Sequence, residues 1–305
     1  MSSGQRQTLE YAKEVTTGVT PSPFARTALP FTTTSLDAAT TKEDSATILD
    51  SRLAQQGSIT AIDYTGDIET EFRYGVFDDL LAGVAYNDWT ANVLTFGGTK
   101  RNTLSVLRGY EDIGNYHTFR GVHVNTFGLS IPQTGIVTAT FGLIGMGRTV
   151  ANGTVPAGAV TKPTLPPTFS NISVTDLKID GISEVGVACV ESFEFNWDNT
   201  AQTQRCLGAG LDIGAVIATL ANGTGNFVAT WAVKTAARYE QQFINRLLSI
   251  EISLKDGDNN EYVLLIPKAE VTAALPSGGQ QDILTATFDY RVVAEAPTLT
   301  RKPKP

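Results

Sequence analysis

Residues 136–141 read IVTATF, and residues 283–288 read ILTATF. In both stretches threonines alternate with apolar residues, which is the period-two pattern of a half-buried strand. The second copy begins almost half a chain length after the first in this 305-residue sequence. Each copy follows a segment that contains proline and glycine, so each is predicted to be the second strand of a hairpin.

The segments that lead up to the two copies also match in order. Each half has a strand, an amphipathic helix, further strands and then a turn with proline and glycine. The matching segments are 66–72, 74–81 and 132–135 in the first half, and 225–231, 239–248 and 276–279 in the second. Two amphipathic strands could share Thr, Val and Phe by convergence, but the common order favours an internal duplication.

The domain organisation follows from this repeat. We predict a mainly β chain with short flanking helices (α+β), built from two tandem, internally related domains. Proline and glycine are dense over 148–170, which is typical of a linker. The predicted parts are a first domain (1–147) with an N-terminal arm (1–30) and a long loop (32–58), the linker (148–170), a second domain (171–295) and a flexible, basic, Pro-rich tail (296–305).

Composition limits the classes of function. The chain is 42% hydrophobic and 18% charged, with a formal net charge of −8. An acidic chain is poorly suited to gripping nucleic acid, because that affinity comes largely from Lys and Arg neutralising phosphates. A surface past which DNA must slide without sticking, however, should be acidic or neutral.

The ends of the chain and its cysteines point to no secreted or membrane protein. The first fifteen residues have no apolar core, and no apolar run approaches the roughly 18 residues of a membrane span. Cys189 and Cys206 are the only cysteines and form no CxxC pair. We therefore expect two reduced, buried thiols rather than a disulfide.

No catalytic or metal-binding motif is apparent. The sequence has no HExxH, GxSxG or GxGxxG arrangement, so we predict no enzyme activity and no cofactor. His117 could act as a base beside Glu111 or Asp112, but a surface turn histidine is the favoured interpretation. His123 is expected on a sheet face. The segment DGDNNE (256–261) resembles a calcium loop only superficially and predicts a hairpin turn.

One acidic pair is expected to have a structural role. Asp78 and Asp79 lie near a helix N-terminus, where carboxylates complement the helix dipole. Adjacent helix residues do not face each other, so a paired-carboxylate hydrolase is disfavoured.

Three strands carry a polar face. On these strands small or acidic polar residues alternate with apolar ones, which predicts one face toward a core and one toward water. The faces are either ordinary solvated surface or a polar wall that is repeated around an assembly. The residues are Asp67, Glu69 and Glu71 in the first strand, Thr138 and Thr140 in the second, and Thr285, Thr287 and Asp289 in the third.

The first half resembles a known family in the identity and order of its residues. The stretches FRYGVFDDLLAGV (72–84) and RGYEDIGNYHTFRGVHVNTFGLSIPQTGIVTATFGLIG (108–145) resemble the major tail tube proteins of long-tailed, non-contractile bacteriophages (siphoviruses). The stretch LSIEISLKDGDNNEYVLLIPKAEVTAALP (248–276) is similar to the C-terminal part of that family. The resemblance covers most of residues 31–295.

The resemblance implies a fold and an assembly. Such proteins fold as β-sandwiches or barrels with a flanking helix, and the sheets of neighbouring protomers join into a closed β-barrel around a lumen. Rings, usually with six tube domains, stack around a tape measure protein, between tail terminator and tail tip proteins, and DNA leaves through the tube. If each chain supplies two domains, the ring is a homotrimer with pseudo-hexameric symmetry. A hexamer in which one domain decorates the outside is the alternative.

The resemblance also implies a ring-to-ring contact and a location. The long loop is expected to touch the neighbouring ring. The protein is expected in the tail of the virion, assembled in the host bacterial cytoplasm, and without membrane insertion. A carbohydrate-binding or adhesin module on the virion surface is the competing hypothesis, and a hydrolase with an unrecognised site is the third. The charged residues of the candidate inter-ring loop are Asp37, Lys42, Glu43, Asp44, Asp50 and Arg52.

Overall fold

The fold is mainly β. The computed structural model describes residues 3–48, 50, 52–185, 189–208 and 210–304. Within these residues the α-helices are α1 (Asp78–Ala85) and α2 (Val233–Gln241). Short 3₁₀ turns lie at Gly4–Arg6, Asn171–Ser173 and Gln242–Ile244. The prediction of a mainly β chain with short helices is confirmed.

The strands of the two halves are as follows. The first half contains β1 (Gln7–Lys13), β2 (Arg26–Ala28), β3 (Thr33–Thr34), β4 (Asp37–Glu43), β5 (Ser58–Glu71), β6 (Val93–Thr95), β7 (Leu104–Tyr110), β8 (Asn115–Ile131), β9 (Thr138–Gly145) and β10 (Gly147–Asn152). The rest of the chain contains β11 (Val160–Thr161), β12 (Val174–Ile179), β13 (Ile182–Ser183), β14 (Val190–Asp198), β15 (Gln202–Gln204), β16 (Ala215–Ile217), β17 (Asn222–Thr230), β18 (Leu248–Lys255), β19 (Glu261–Ala273), β20 (Thr285–Val292) and β21 (Thr298–Lys302).

The two TATF strands occupy matching places. β9 lies between β5 and β8, and β20 lies between β17 and β19, all antiparallel. Phe141 lies opposite Phe127, and its counterpart Phe288 lies opposite Ala273. The hairpins of β4 with β5 and of β14 with β17 extend these sheets in the same direction. The repeated sequence therefore builds the same strand position in each half.

The remaining pairings also correspond. In the first half β1 pairs with β7, β7 with β8, and β8 with β10. In the second half β12 pairs with β18, β18 with β19, and β19 with β21. The long strands β8 and β19 each pair with a different set of strands along their two ends. Each half is thus organised around one long strand shared between two groups of strands.

One pairing joins the halves directly. The C-terminal part of β8 pairs with β14, from Phe193 opposite Ile131 to Asp198 opposite Thr126. This contact makes β4, β5, β9, β8, β14, β17, β20 and β19 neighbours in one continuous run, which we call the long sheet.

The core is shared in the same way. Buried apolar side chains of both halves form one cluster, in which Phe127 contacts Phe141 and Phe195 at ring-centroid distances of 5.2 and 6.3 Å. The two halves therefore bury apolar surface against each other, which is the main favourable term in folding.

Two segments that we predicted to be irregular are paired. The N-terminal arm contains β1, which pairs with β7 along its whole length. The tail contains β21, which pairs with β19 of the second half and with β6 of the first. The prediction of an irregular arm and a mobile tail is wrong at these strands. In both cases backbone N–H and C=O groups of the segment pair with the edge of a sheet. This pairing depends on a strand far away in the sequence, so the short polar segment does not predict it by itself.

The predicted linker and loop also contain strands. β10 and β11 lie within 147–161, and the Arg26 side chain donates a 2.7 Å hydrogen bond to the Pro156 carbonyl. The predicted loop forms a hairpin, because β4 pairs with the first part of β5. Parts of these predictions lie outside the described residues. They are residues 49 and 51 of the loop, 186–188 of a predicted strand (185–197), and residues 1–2 and 305 at the ends.

The two helices differ in how they are covered. Leu80, Leu81 and Val84 of α1 are fully buried. The sequence predicts the second helix over 235–248, with the apolar residues Tyr239, Phe243, Ile244, Leu247 and Leu248 on one shared face. It ends instead in a 3₁₀ turn, with Asn245 in the left-handed region, and Phe243 and Ile244 are exposed. Trp89 and Asn102 donate hydrogen bonds to the α1 backbone at Asp78 and Ala82, whereas α2 and its 3₁₀ turn are followed at once by β18.

Candidate functional site

One face of the long sheet is polar across both halves. Side chains alternate between the two sides along its strands, and those on the opposite side are buried, as for Ile68, Phe127 and Phe288. We call the other side the polar face. Val228 and Ile144 also lie on this side, opposite Thr287 and Thr65. Its other members are Thr65, Asp67, Glu69, Glu71, Thr126, Gly128, Ser130, Thr138, Thr140, Glu194, Asn196, Asp198, Thr224, Asn226, Glu270, Thr272, Thr285, Thr287, Asp289 and Arg291.

The predicted residues of the first half lie side by side on this face. Glu69 is opposite Thr140, and Glu71 is opposite Thr138, while Asp67 is opposite Gly142. Glu71 also forms an ion pair with Arg73 at 2.9 Å. The side chains of Asp67 and Glu69 are exposed and make no ion pair within the described chain. They are free to contribute negative potential to the surrounding water.

The predicted residues of the second half lie on the same face. Thr285 is opposite Thr230, and Asp289 lies between Asn226 and Thr272 of the two flanking strands. Thr287 and Asp289 are exposed. The two predicted sets therefore lie on the same face of the long sheet, and β8, β14 and β17 lie between them. The sequence predicted residues at two separate parts of one surface.

The middle of the surface was missed. Glu194, Asn196 and Asp198 of β14 lie between the two sets, opposite Ser130, Gly128 and Thr126. The stretch VESFEFNWD (190–198) alternates acidic or amide residues with aromatic ones, and this was the signal available in the sequence. Glu270 was also missed, and it forms a 2.7 Å ion pair with Arg291. Carboxylates outnumber cations on the polar face.

The candidate inter-ring residues lie in two settings. Asp37 pairs with Thr65 and so borders the polar face rather than the distal part of the hairpin. Lys42 and Glu43 pair with Ile59 and Ser58 at the end of the ladder. Asp44, Asp50 and Arg52 lie in the segment that connects β4 to β5, and all are exposed. We call residues 40–62 the hairpin arm.

The candidate catalytic histidine lies in a strand. His117 belongs to β8 rather than to a surface turn, so that interpretation is wrong. Its Nε2 lies 2.5 Å from the Asn115 Oδ1, and Arg148 contacts its Nδ1 at 3.4 Å. Burial, together with the positive charge of Arg148, lowers the pKa of His117. These contacts hold the imidazole in the sheet.

The second histidine is fully enclosed. His123 is 2% exposed on β8, and its Nδ1 donates a 3.0 Å hydrogen bond to the Gly121 carbonyl. Burial lowers the pKa of His123 below its ordinary value, so the ring is neutral near pH 7. The expected position on a sheet face is confirmed.

The acidic pair of α1 has separate partners. Asp78 accepts a hydrogen bond from the Tyr262 hydroxyl at 2.5 Å. Asp79 accepts one from the Tyr11 hydroxyl at 3.0 Å and forms an ion pair with Lys13 at 2.7 Å. The two carboxylates point to different halves of the molecule, as a structural role requires. In the predicted hairpin turn, Asp256 accepts from the Asn260 backbone N–H at 2.8 Å, so that prediction is confirmed.

The two thiols were predicted to be buried, and this is wrong. Cys189 and Cys206 are both free and exposed, because they lie beside strand ends rather than within the core. Across the described residues no group of three or more His, Cys, Asp or Glu side chains is placed to hold a metal ion. No helix in that part of the chain is long and apolar enough to cross a membrane.

Comparison with known families identifies the chain. A family model described as phage tail tube protein matches residues 4–292, which is nearly the whole sequence. The chain belongs to the phage tail tube protein family. Among curated proteins no significant match was found. The family assigns this tail tube protein a structural role in the tail of the virion and does not favour the carbohydrate-binding alternative.

Proposed function

We propose that this chain self-assembles into stacked rings that form the tail tube of a siphovirus, with the polar face lining a conduit for DNA ejection. The observation that carries the proposal is the continuity of the polar face across both halves. A surface that is polar on one side and packed on the other along seven neighbouring strands fits the wall of a water-filled barrel.

The ring is a trimer in this proposal. Both halves present the same four strand positions to the long sheet, so each chain counts as two tube domains and three chains make a pseudo-hexameric ring. The tandem, internally related domains are supported by matching pairings around β9 and β20. Closure of the sheets between protomers removes every open edge of the barrel, which otherwise invites uncontrolled pairing.

The charge of the polar face suits passage of DNA. Asp67, Glu69 and Asp289 are exposed carboxylates that repel phosphates, so a DNA duplex slides past without binding. The same lumen holds the tape measure protein before ejection, and the ends of the tube meet the tail terminator and tail tip proteins. The hairpin arm contacts the neighbouring ring. Assembly takes place in the cytoplasm of the bacterial host.

Electron microscopy of purified protein tests the proposal. We expect tubes in negative stain at high protein concentration, and a threefold ring with pseudo-sixfold features in cryo-EM averages. A monodisperse monomer that never forms tubes would overturn the function. True sixfold symmetry with one chain per sixth of the ring would overturn the trimer and leave the tube.

A further inference from the structure

The pairing of β8 with β14 inside one chain is a template for pairing between chains. It is antiparallel, with Phe127 opposite Trp197. The Asn199 N–H donates a 3.0 Å hydrogen bond to the Asn125 carbonyl, which continues the same register. Because hydrogen-bonded and non-hydrogen-bonded pairs alternate, the 127–197 pair is hydrogen-bonded and the 128–196 pair is not.

The two outer edges of the long sheet are the counterparts of these two strands. β19 corresponds to β8, and Ala273 takes the place of Phe127 because each lies opposite the phenylalanine of a TATF strand. β3 and β4 correspond to β14 in the same way. Trp197 lies opposite Gly223, four residues before Phe227, and Ala38 lies opposite Tyr64, four residues before Ile68. Phe227 and Ile68 are themselves opposite Phe288 and Phe141.

We infer that β4 of one chain pairs antiparallel with β19 of a second copy, with Ala38 opposite Ala273 and Leu36 opposite Leu275. The inference rests on the proposed function and specifies its subunit interface. The contact joins two different edges head to tail, and such an interface generates a ring when its rotation closes.

The direction of the backbone groups supports this register independently. The Ser35 N–H donates to the Asp67 carbonyl of β5 at 3.0 Å, so Leu36 and Ala38 direct their backbone groups outward. At the other edge the Ala273 N–H also points away from β20, toward the Gln242 side chain. Ala38 and Ala273 are therefore both oriented to form a hydrogen-bonded pair, as Trp197 and Phe127 do. A shift by one residue would lose this match.

In the single chain, side chains form hydrogen bonds with backbone groups of both edge strands. The Leu36 carbonyl accepts a 2.7 Å hydrogen bond from Arg108, and the Ala273 N–H donates a 3.2 Å bond to Gln242. The Gln242 Nε2 is a buried atom without a partner within the described chain. Pairing with a second copy would replace these side-chain contacts with backbone bonds. We infer that Arg108 and Gln242 protect the edges before assembly.

An exposed apolar surface lies beside the β19 edge and fits the same partner. Phe243 and Ile244 of the 3₁₀ turn after α2 are 66% and 72% exposed, and Leu275, two residues beyond the end of β19, is 62% exposed. In the first half the matching region of α1 is buried, and there the Asn199 side chain of the second half donates a 2.8 Å hydrogen bond to the Val84 carbonyl. A second copy would cover α2 as the second half covers α1.

Disulfide trapping tests the register. In a chain with Cys189→Ser and Cys206→Ser, the pair Ala39→Cys with Thr272→Cys occupies a non-hydrogen-bonded position, where Cβ atoms are closest. A second pair in the same register is Asp37→Cys with Ala274→Cys. The control is Ala39→Cys with Ala274→Cys, which is shifted by two residues. Within one chain these sites lie at opposite edges of the long sheet, seven strand spacings of about 4.8 Å or about 34 Å apart measured along the sheet, so a disulfide between them must join two chains.

The expected result is a ladder of covalent dimers and trimers on non-reducing gels for both in-register pairs, at least tenfold stronger than for the control. Tubes that cross-link mainly through the control pair would overturn the register and leave the proposed function intact. Failure of the parent chain to form tubes would overturn the function instead. If a double variant does not assemble, single-cysteine chains mixed with each other are oxidised, and an absence of heterodimers then counts against the interface.

Discussion

The Tyr262 hydroxyl of the second half donates a 2.5 Å hydrogen bond to Asp78, the first residue of α1 in the first half. The same hydroxyl accepts a 3.0 Å bond from the Gly75 N–H, and Asp78 is also paired with Arg301 of β21. Tyr262 is 1% exposed. This network fixes the N-terminus of α1 to the second half.

Tyr262→Phe is expected to destabilise the chain. It removes a bond to a charged group and leaves the Gly75 N–H without its acceptor, so the free energy of unfolding should fall by about 1–3 kcal/mol. Chemical denaturation measures it. Tyr86→Phe is the matched control, because the Tyr86 hydroxyl is buried and unpaired within the described residues. Its removal should be neutral or stabilising. Equal losses in both variants would contradict the role of the network.

The free energy of unfolding should fall at alkaline pH as Tyr64 ionises. Burial, with the hydrogen bond to Asp212, raises the pKa of Tyr64 to about 12, from an ordinary value of 10.0. The stability that this provides is present below pH 10 and is lost as the pH rises toward 12, because the unfolded chain releases its proton first. Tyr64→Phe should flatten the decline in unfolding free energy between these values. An unchanged slope would contradict the assignment.

Mild acid should also weaken the fold. Burial lowers the pKa of both His117 and His123 below 6.5, so the unfolded chain binds protons more readily. Stability is then present above pH 6.5 and falls as the pH drops below it. His123→Gln should reduce this dependence, measured by urea unfolding at pH 7 and at pH 5.5. A greater pH dependence in the variant would oppose the prediction.

The hairpin arm should be needed for stacking but not for folding. Replacing residues 45–56 with a two-residue Asn-Gly turn shortens a segment whose described residues are mostly exposed. Unfolding free energy should change by no more than about 1 kcal/mol. We expect rings without long tubes in negative stain. Normal tubes from this variant would exclude the arm from the ring-to-ring contact.

The negative charge of the polar face should keep DNA from binding. Glu69→Lys with Asp289→Lys places cations on this face, and assembled tubes should then retain short duplex DNA at low salt and release it as salt rises. The control is Glu111→Lys with Asp258→Lys, which makes the same charge change in exposed hairpin turns. Equal DNA retention by both variants would argue against a lumen lined by the polar face.

Strand positions could be predicted where the pattern was local. The alternation around Thr138, Thr140, Thr285 and Thr287 determines which face is buried, because a strand has a period of two. The turn at 256–261 could also be identified, because the Asp256 carboxylate accepts hydrogen bonds from backbone N–H groups within four residues of it. The place of Asp78 and Asp79 at the start of α1 could be predicted as well, but their partners Tyr262 and Tyr11 lie far away in the sequence and could not.

Only the tertiary structure decided which strands meet. β14 pairs with β8 through residues more than sixty positions apart, and this joins two predicted faces into one. Short polar segments such as Thr298–Lys302 form strands because their backbone N–H and C=O groups pair with the edge strand β19. Phe243 and Ile244 follow a helical pattern, yet they are exposed, because none of the segments that the structure describes covers them. Local sequence therefore determined the faces of the strands, whereas long-range pairing determined the surface that they build and the edges left for a partner.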